Sequence, residues 1–358
     1  MSTNRRQFLR GSLTLLAGGG AAVACAHTED APTPAATPEP LPTPARTEFA
    51  QVYQDLAYAA PVGRGHLLDL YLPLDHDGPV PVVIHQVGSA FRSDDTKGDA
   101  LSAPEPLTPG GMVTAPQLAA LWAPRGYAVV GLNVRNSSQV TFPGQVHDAK
   151  AAIRYLRSLA DRCGLDTDRF ATMGNSSGGW VAAMTAVTVG LSEFEGDLGH
   201  PEQSSAVHAA VDLYGPTDFL QMDAHRLADG QLHDAADSPE SELMGFPIQS
   251  DPAAVEKANP ARYVRAGSPP MWLTHGMRDT YVPFNQSEIL FDAYAGAGAS
   301  ATLTLVPDAG HADGYLMSPE LSAEHTVHRT ANGTTSTGSD PAPTFDAILD
   351  FLNVNLGV

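Results

Sequence analysis

Along residues 47–358, short apolar runs alternate with segments whose apolar residues recur at helical spacing. Strand-like runs fall at 81–84, 128–132, 170–173, 209–213, 270–274 and 301–306, and helix-like stretches at 116–125, 146–162, 178–187 and 345–356. Runs that are apolar on both faces suit strands covered on both sides, and their alternation with helices predicts a mostly parallel sheet between two helical layers, an α/β fold. Two stretches break the pattern. Residues 218–259 are polar, with several prolines and scattered Asp and Ser, and are expected to form an insertion leaving the sheet. Residues 325–343, rich in Thr, Ser, Gly and Asn, are expected to be a second, irregular insertion. No internal repeat is present, so the pattern reads as one domain of 47–358.

Ahead of that body the pattern changes twice. Residues 1–24 contain Asn4-Arg5-Arg6-Gln7-Phe8-Leu9-Arg10 and then a Gly/Ala-rich apolar stretch too short to span a bilayer. This reads as a twin-arginine export signal, excluded from fold reasoning. It ends in Ala22-Val23-Ala24-Cys25, which fits either signal-peptidase cleavage or lipidation of Cys25. Residues 25–46 follow as a Pro/Thr-rich tether without aromatics in its 31–45 core, extended and unable to bury surface. A lipid anchor needs such a tether, so the expected location is outside the cytoplasmic membrane, as an anchored lipoprotein or a periplasmic or secreted protein.

Candidate chemistry centres on Gly174-Asn175-Ser176-Ser177-Gly178, a G-x-S-x-G between a strand-like run and a helix-like one. Strand, sharp turn and helix are the setting of a nucleophile elbow, where the strained serine tolerates only small neighbours. The helix that follows aims its N-terminal N–H groups at the site of a developing oxyanion. A serine hydroxyl needs a base, and the base an orienting acid. Asp279 follows the run 270–274, and His311 follows the run 301–306. Loops at the carboxyl ends of parallel strands share one edge, so Ser176 is expected as nucleophile, His311 as base and Asp279 as acid. His275 reads as structural. Asp308, on His311's own loop, is the rival acid, poorly placed for the far side of that imidazole.

These residues resemble the α/β-hydrolase esterases of the hormone-sensitive-lipase-like and feruloyl/acetyl-xylan-esterase-like kind, often labelled BD-FAE. The resemblance runs from about Val52 to Leu356 and rests on several ordered pieces. They are Leu68-Asp69-Leu70-Tyr71-Leu72-Pro73, Pro81-Val82-Val83-Ile84-His85, Arg125-Gly126-Tyr127-Ala128-Val129 and Phe142-Pro143-Gly144-Gln145-Val146-His147-Asp148. Beyond the elbow come Tyr214-Gly215-Pro216-Thr217-Asp218, Asp279-Thr280-Tyr281-Val282-Pro283, Gln286-Ser287 and Gly310-His311. The resemblance implies the α/β-hydrolase fold with a small insertion over the active site, and hydrolysis of a carboxylic ester through an acyl-enzyme. Feruloyl, acetyl or other short-chain or aryl esters are the implied substrates, small or polysaccharide-linked, and no cofactor or metal is implied.

The family's His-Gly-Gly-Gly-type oxyanion segment is altered here to His85-Gln86-Val87-Gly88-Ser89-Ala90-Phe91. Aligned on Phe91, Gly88 and Ser89 occupy the glycine positions; aligned on His85, Gln86 becomes the first donor. Ser177 supplies the other N–H in either register. Phe91, Trp180 and Tyr281 flank these loops and are candidate pocket residues, with core packing the plain alternative.

Charge and cysteine content narrow the partners. The formal net charge is −20, and losing the three arginines of 1–24 would take it to −23. So acidic a surface disfavours nucleic acid, anionic membranes and polyanionic substrates, and leaves neutral esters. The chain has two cysteines, so lipidation of Cys25 would leave Cys163 without a disulfide partner. No zinc-like Cys/His spacing and no phosphate-binding glycine loop occurs, and oligomeric state is not legible. Two other function classes stay open: a peptidase or acyl-peptide hydrolase of the same fold, and a non-catalytic ligand-binding member.

Overall fold

A computed structural model describes residues 40–358; the export signal, Cys25 and most of the tether lie outside them. The alternating pattern folds into one eleven-stranded sheet. Its strands are β1 (Ala45–Arg46), β2 (Ala50–Val62), β3 (Gly65–Pro73), β4 (Val80–Gln86), β5 (Ala128–Leu132), β6 (Leu165–Asn175), β7 (Ala209–Leu213), β8 (Met271–Gly276), β9 (Ala301–Val306), β10 (Thr326–Ala331) and β11 (Thr334–Gly338). They lie in the order β1-β2-β3-β5-β4-β6-β7-β8-β9-β10-β11. From β5 through β9 neighbours run parallel, and the outer strands on each side pair antiparallel.

The central strands β4, β5, β7 and β8 are buried along their whole length, and β6 is buried from Phe170 to Asn175, as their two-faced apolar runs require. On one face Val83, Val129, Met173, Val211 and Trp272 form a single cluster with Leu118 and Trp122 of helix Ala115–Trp122 and with Ile348 and Leu352 of helix Phe345–Leu356. The opposite face carries helix Ser177–Val187, whose Gly179 lies against Asp212 of β7; every residue of that helix is buried. Burying these large side chains is worth roughly 1.5–3 kcal/mol each, which fixes the strand ends that carry the site.

Two expectations need correction. Ala45 and Arg46, counted with the tether, pair with Val52 and Gln51 as the sheet's edge strand. The stretch 325–343 is not irregular, because β10 and β11 within it form a hairpin next to β9. The turn there is Asn332-Gly333, both with positive φ (51° and 74°), the two-residue turn whose twist matches a hairpin. Val327 and Thr330 of β10 are buried, but β11 is exposed throughout, so its polar composition concealed a strand with no core face.

The insertion 218–259 consists of short pieces of 3-10 and α-helix, among them Met222–His225 and Pro239–Met244. Among the described residues no helix is long and apolar enough to cross a membrane, and no group of side chains has the makings of a metal site.

Candidate active site

The elbow is built by steric exclusion. Ser176 joins β6 to helix Ser177–Val187 with φ 53° and ψ −129°, a strained conformation for a side-chain-bearing residue. A Cβ on Gly174 would lie 2.1 Å from the carbonyl oxygen of Gly178, and one on Gly178 would lie 2.0 Å from that of Gln86. Glycine is therefore obligatory at both ends of the turn. The turn is held from β7 by Ser176 N–H donating to Leu213 O at 2.9 Å.

His311 and Asp279 reach the same edge from the loops after β9 and β8. His311 Nε2 lies 2.9 Å from Ser176 Oγ, and His311 Nδ1 lies 2.6 Å from Asp279 Oδ2. Asp279 Oδ1 accepts N–H from Tyr281 at 2.8 Å and from Val282 at 2.9 Å. His275 stands on the other side of the carboxylate, with Nε2 3.3 Å from Asp279 Oδ2 and 3.0 Å from Val282 O, and Nδ1 2.7 Å from Ser287 Oγ. Burial alone would raise the Asp279 carboxyl, but hydrogen bonds from His275 and His311 outweigh it and hold it well below the ordinary carboxylate range. An ionised acid facing Nδ1 keeps the proton there and leaves the Nε2 lone pair toward the serine. Asp308, the rival acid, is exposed and paired with Arg278 at 2.9 Å. The ring of Tyr214 lies 4.7 Å from that of His311, and Tyr281 covers it from another side at 5.2 Å.

The oxyanion segment departs from expectation. Gln86 is the last residue of β4, opposite Gly174, so it is a strand residue and not the first donor. His85 is buried, with Nε2 2.9 Å from Val113 O, and burial lowers its pKa to about 4. Gly88 is the point where the segment crosses the elbow: a Cβ there would sit 2.5 Å from Ser176 Cβ and 2.6 Å from Asn175 O. Both expected donors are already engaged, since Gly88 N–H donates to Asn175 Oδ1 at 2.8 Å and Ser89 N–H to Ser177 Oγ at 2.9 Å. A buried N–H takes the nearest acceptor, and here the elbow supplies two. Ala90 and Phe91 follow with φ 53° and 61°, two consecutive left-handed residues that mark a strained functional loop.

These contacts bring in Asn175, Val113 and Asp313, whose roles no sequence motif marks. Asn175 Nδ2 donates to Asp313 Oδ2 at 2.8 Å and lies 3.3 Å from Val113 O, while Val113 N–H donates to Asp313 Oδ2 at 2.6 Å. Asp313 is wholly buried, and burial raises its pKa to about 6 despite these donors. Its place two residues after His311, and that of Asn175 inside the elbow, were the available signals.

A cavity of about 320 Å³ opens over Ser176. Phe91, Met112, Pro216, Tyr281 and Val282 line it with apolar surface, and Gln231, His233 and Glu240 of the insertion form a polar wall. Trp180 does not reach it. Its ring is fully buried against Phe91, Phe142 and Phe219, and its Nε1–H donates to Ala258 O at 2.8 Å. Facing inward from the helix after the elbow, it backs the pocket through Phe91.

Sheet order, elbow and converging loops define an α/β-hydrolase. The BD-FAE family model matches residues 68–294, and the chain belongs to that family. It is similar to LipM of Mycobacterium tuberculosis, a probable carboxylic ester hydrolase, at 28% identity over 70% of this chain and 54% of that protein. Esterase LipQ of the same organism is 27% identical, over 76% of this chain and 59% of its own length. The chain thus spans little more than half the length of these curated relatives. Among solved structures, a truncated carbohydrate esterase from gut microbiota superposes with a TM-score of 0.69 at 28% identity, over 88% of this chain and all of the other.

Proposed function

We propose that the protein is a serine carboxylic-ester hydrolase acting through an acyl-enzyme. The observation that carries this is the unbroken relay Asp279–His311–Ser176, at 2.6 and 2.9 Å, at the floor of a cavity. Ser176 Oγ attacks the ester carbonyl as His311 Nε2 takes its proton. That proton then passes to the departing alkoxide, which leaves as the alcohol. Water, activated by the same nitrogen, releases the acid and restores the serine.

The negative charge on the tetrahedral oxygen falls to the N–H groups of Ser177 and Ser89. Freeing Ser89 requires the Ser177 hydroxyl, its present acceptor and that of Phe91 N–H at 3.4 Å, to rotate about χ1. Gly88's acceptor is a buried amide held by Asp313, so its N–H serves to fix the loop. The apolar wall suits a short acyl or an aryl group, and the polar wall suits a hydroxyl-bearing alcohol. The likeness to a carbohydrate esterase supports an ester borne on a saccharide; the acidic chain favours a neutral one, and acetyl and feruloyl are the acyl groups assigned to it here.

Kinetics on p-nitrophenyl acetate, methyl ferulate and acetylated xylan, with fluorophosphonate labelling of Ser176, test this reading. No turnover and no labelling would reject it; turnover of the first alone would reject the saccharide assignment. For location we propose twin-arginine export with Cys25 lipidated. Mass spectrometry of the mature N-terminus tests that, and an unmodified Cys25 or a later start in a soluble extract would reject it.

A further inference from the structure

The polar wall of the cavity is joined to the triad by a buried ion pair that ester chemistry alone does not call for. His233 and Glu240 are 2% and 3% exposed. His233 Nδ1 lies 2.9 Å from Glu240 Oε2, and its Nε2 lies 2.8 Å from the carbonyl oxygen of Tyr281, across 48 residues of chain. A carbonyl only accepts and an ionised carboxylate only accepts, so a ring serving both donates from both nitrogens and is an imidazolium. One strand of backbone repeats the tie, with Gln231 N–H donating to Thr280 O at 2.7 Å. The loop so gripped is the one whose Tyr281 N–H holds Asp279 and whose Tyr281 ring covers His311.

We propose that His233 is a positioning residue for ester hydrolysis: in its doubly protonated form it clamps the 218–259 insertion onto the loop of Asp279 and Tyr281, setting the pocket wall against which large substrates are held. The proposal rests on the esterase reading above. Burial opposes the charge on His233, but the Glu240 carboxylate outweighs it and the pKa lies above the usual 6.5. The charged neighbours support this balance. Glu240 faces the ring from helix Pro239–Met244, and Asp223 of helix Met222–His225 accepts the His233 backbone N–H at 2.7 Å. On the loop side stand Asp279, already committed to two histidines, and His311 beyond the Tyr281 ring.

The sign follows from the raised value. The clamp is complete below the ordinary histidine range and is lost as pH rises through the elevated pKa, where the ring keeps its Nδ1 proton on the Glu240 carboxylate and turns the Nε2 lone pair on the Tyr281 carbonyl oxygen. The full chain is assayed for kcat/KM from pH 5.5 to 10 with p-nitrophenyl acetate and methyl ferulate, as parent, His233→Gln and Glu240→Gln. For the parent, turnover of the ferulate should fall at alkaline pH where that of the acetate holds. His233→Gln should abolish that fall and lower ferulate turnover by roughly ten- to a hundredfold, a greater loss than on acetate, as expected for displaced substrate. Glu240→Gln removes the charge that sustains the imidazolium and should move the fall to lower pH. It keeps the test decisive should His233→Gln not fold. Superimposable parent and variant profiles would overturn the inference while leaving the esterase intact, whereas a parent inactive on both esters would instead reject the esterase reading.

Discussion

The two sides of the cavity are built differently. The elbow side hangs on central parallel strands, and its shape follows from contacts too close for any side chain: 2.1 Å at Gly174, 2.0 Å at Gly178 and 2.5 Å at Gly88. The insertion side is a string of short helices, such as Met222–His225 and Pro239–Met244, without a strand among them, and side chains bonded to backbone at a distance hold it in place. The first is rigid because nothing else fits, the second because a few polar pairs are satisfied. The proposed function places chemistry on the first side and selectivity on the second, and substitutions should separate the two.

The largest effect is expected at the nucleophile. Ser176→Ala should lower kcat by on the order of a millionfold, as in triads that act as a unit, and abolish fluorophosphonate labelling with the melting temperature little changed. Persistent labelling would put the nucleophile elsewhere. Next, Asp279→Asn should cost about 10⁴ in kcat through the wrong imidazole tautomer. Asp308→Asn, which touches only an exposed arginine, should leave kcat unchanged. A reversal of that order would move the acid to the β9 loop.

Gly88→Ala sharpens the steric side of the comparison. Its methyl group would meet Ser176 Cβ at 2.5 Å and Oγ at 3.2 Å, so either loop or nucleophile must shift. A displacement of that size should lower kcat about a hundredfold with the protein still folded. Unchanged turnover would mean that the crossing of loop and elbow is looser than these distances.

How much of this was legible in the sequence divides along the same line. Ser176, Asp279 and His311 carried signals because each sits in a local setting, a strand end followed by glycine or a tight turn. The parallel strands were legible because burial on both faces imposes a continuous apolar run. The clamp was not, since nothing near His233 or in the Asp279 loop marks them as partners, and Asn175 meets Asp313 across 138 residues. The hairpin of β10 and β11 was lost for another reason: its Asn332-Gly333 turn was readable, but an exposed strand of Thr and Ser imitates a loop.

Beneath the elbow, Asp212 offers a test of stability that leaves chemistry aside. Its Oδ1 accepts Gly215 N–H at 2.8 Å, its Oδ2 has no hydrogen-bond partner, and burial raises its pKa from 3.8 to about 7. The folded protein therefore holds a proton that the unfolded chain releases, and stability falls as pH rises through that interval by about 1.4 kcal/mol per pH unit. Asp212→Asn keeps the acceptor and cannot ionise. Its melting temperature should exceed the parent's at pH 8, and the gap should close toward pH 4. An equal difference at both pH values would mean that Asp212 is not neutral in the folded state.

The smallest effects separate the aromatic residues. Tyr281 is 57% exposed and lines the cavity, whereas Trp180 is wholly buried behind Phe91. Trp180→Phe keeps most of the ring and leaves Ala258 O without its donor, so it should cost about 1–3 kcal/mol in denaturant unfolding. Because the lost contact lies on the far side of Phe91 from the substrate, KM for methyl ferulate should stay within about twofold, well under the factor of 10 that 1.4 kcal/mol of binding would produce. Tyr281→Ala should do the reverse. It removes a half-exposed ring that contributes little to the core, so stability should move by no more than about 0.5 kcal/mol. It also strips an aromatic wall from the cavity, and stacking of that kind is worth about 0.5–1.5 kcal/mol beyond area, so KM for the aryl ester should rise several-fold. A KM effect at Trp180 equal to that at Tyr281 would place the indole in the pocket after all.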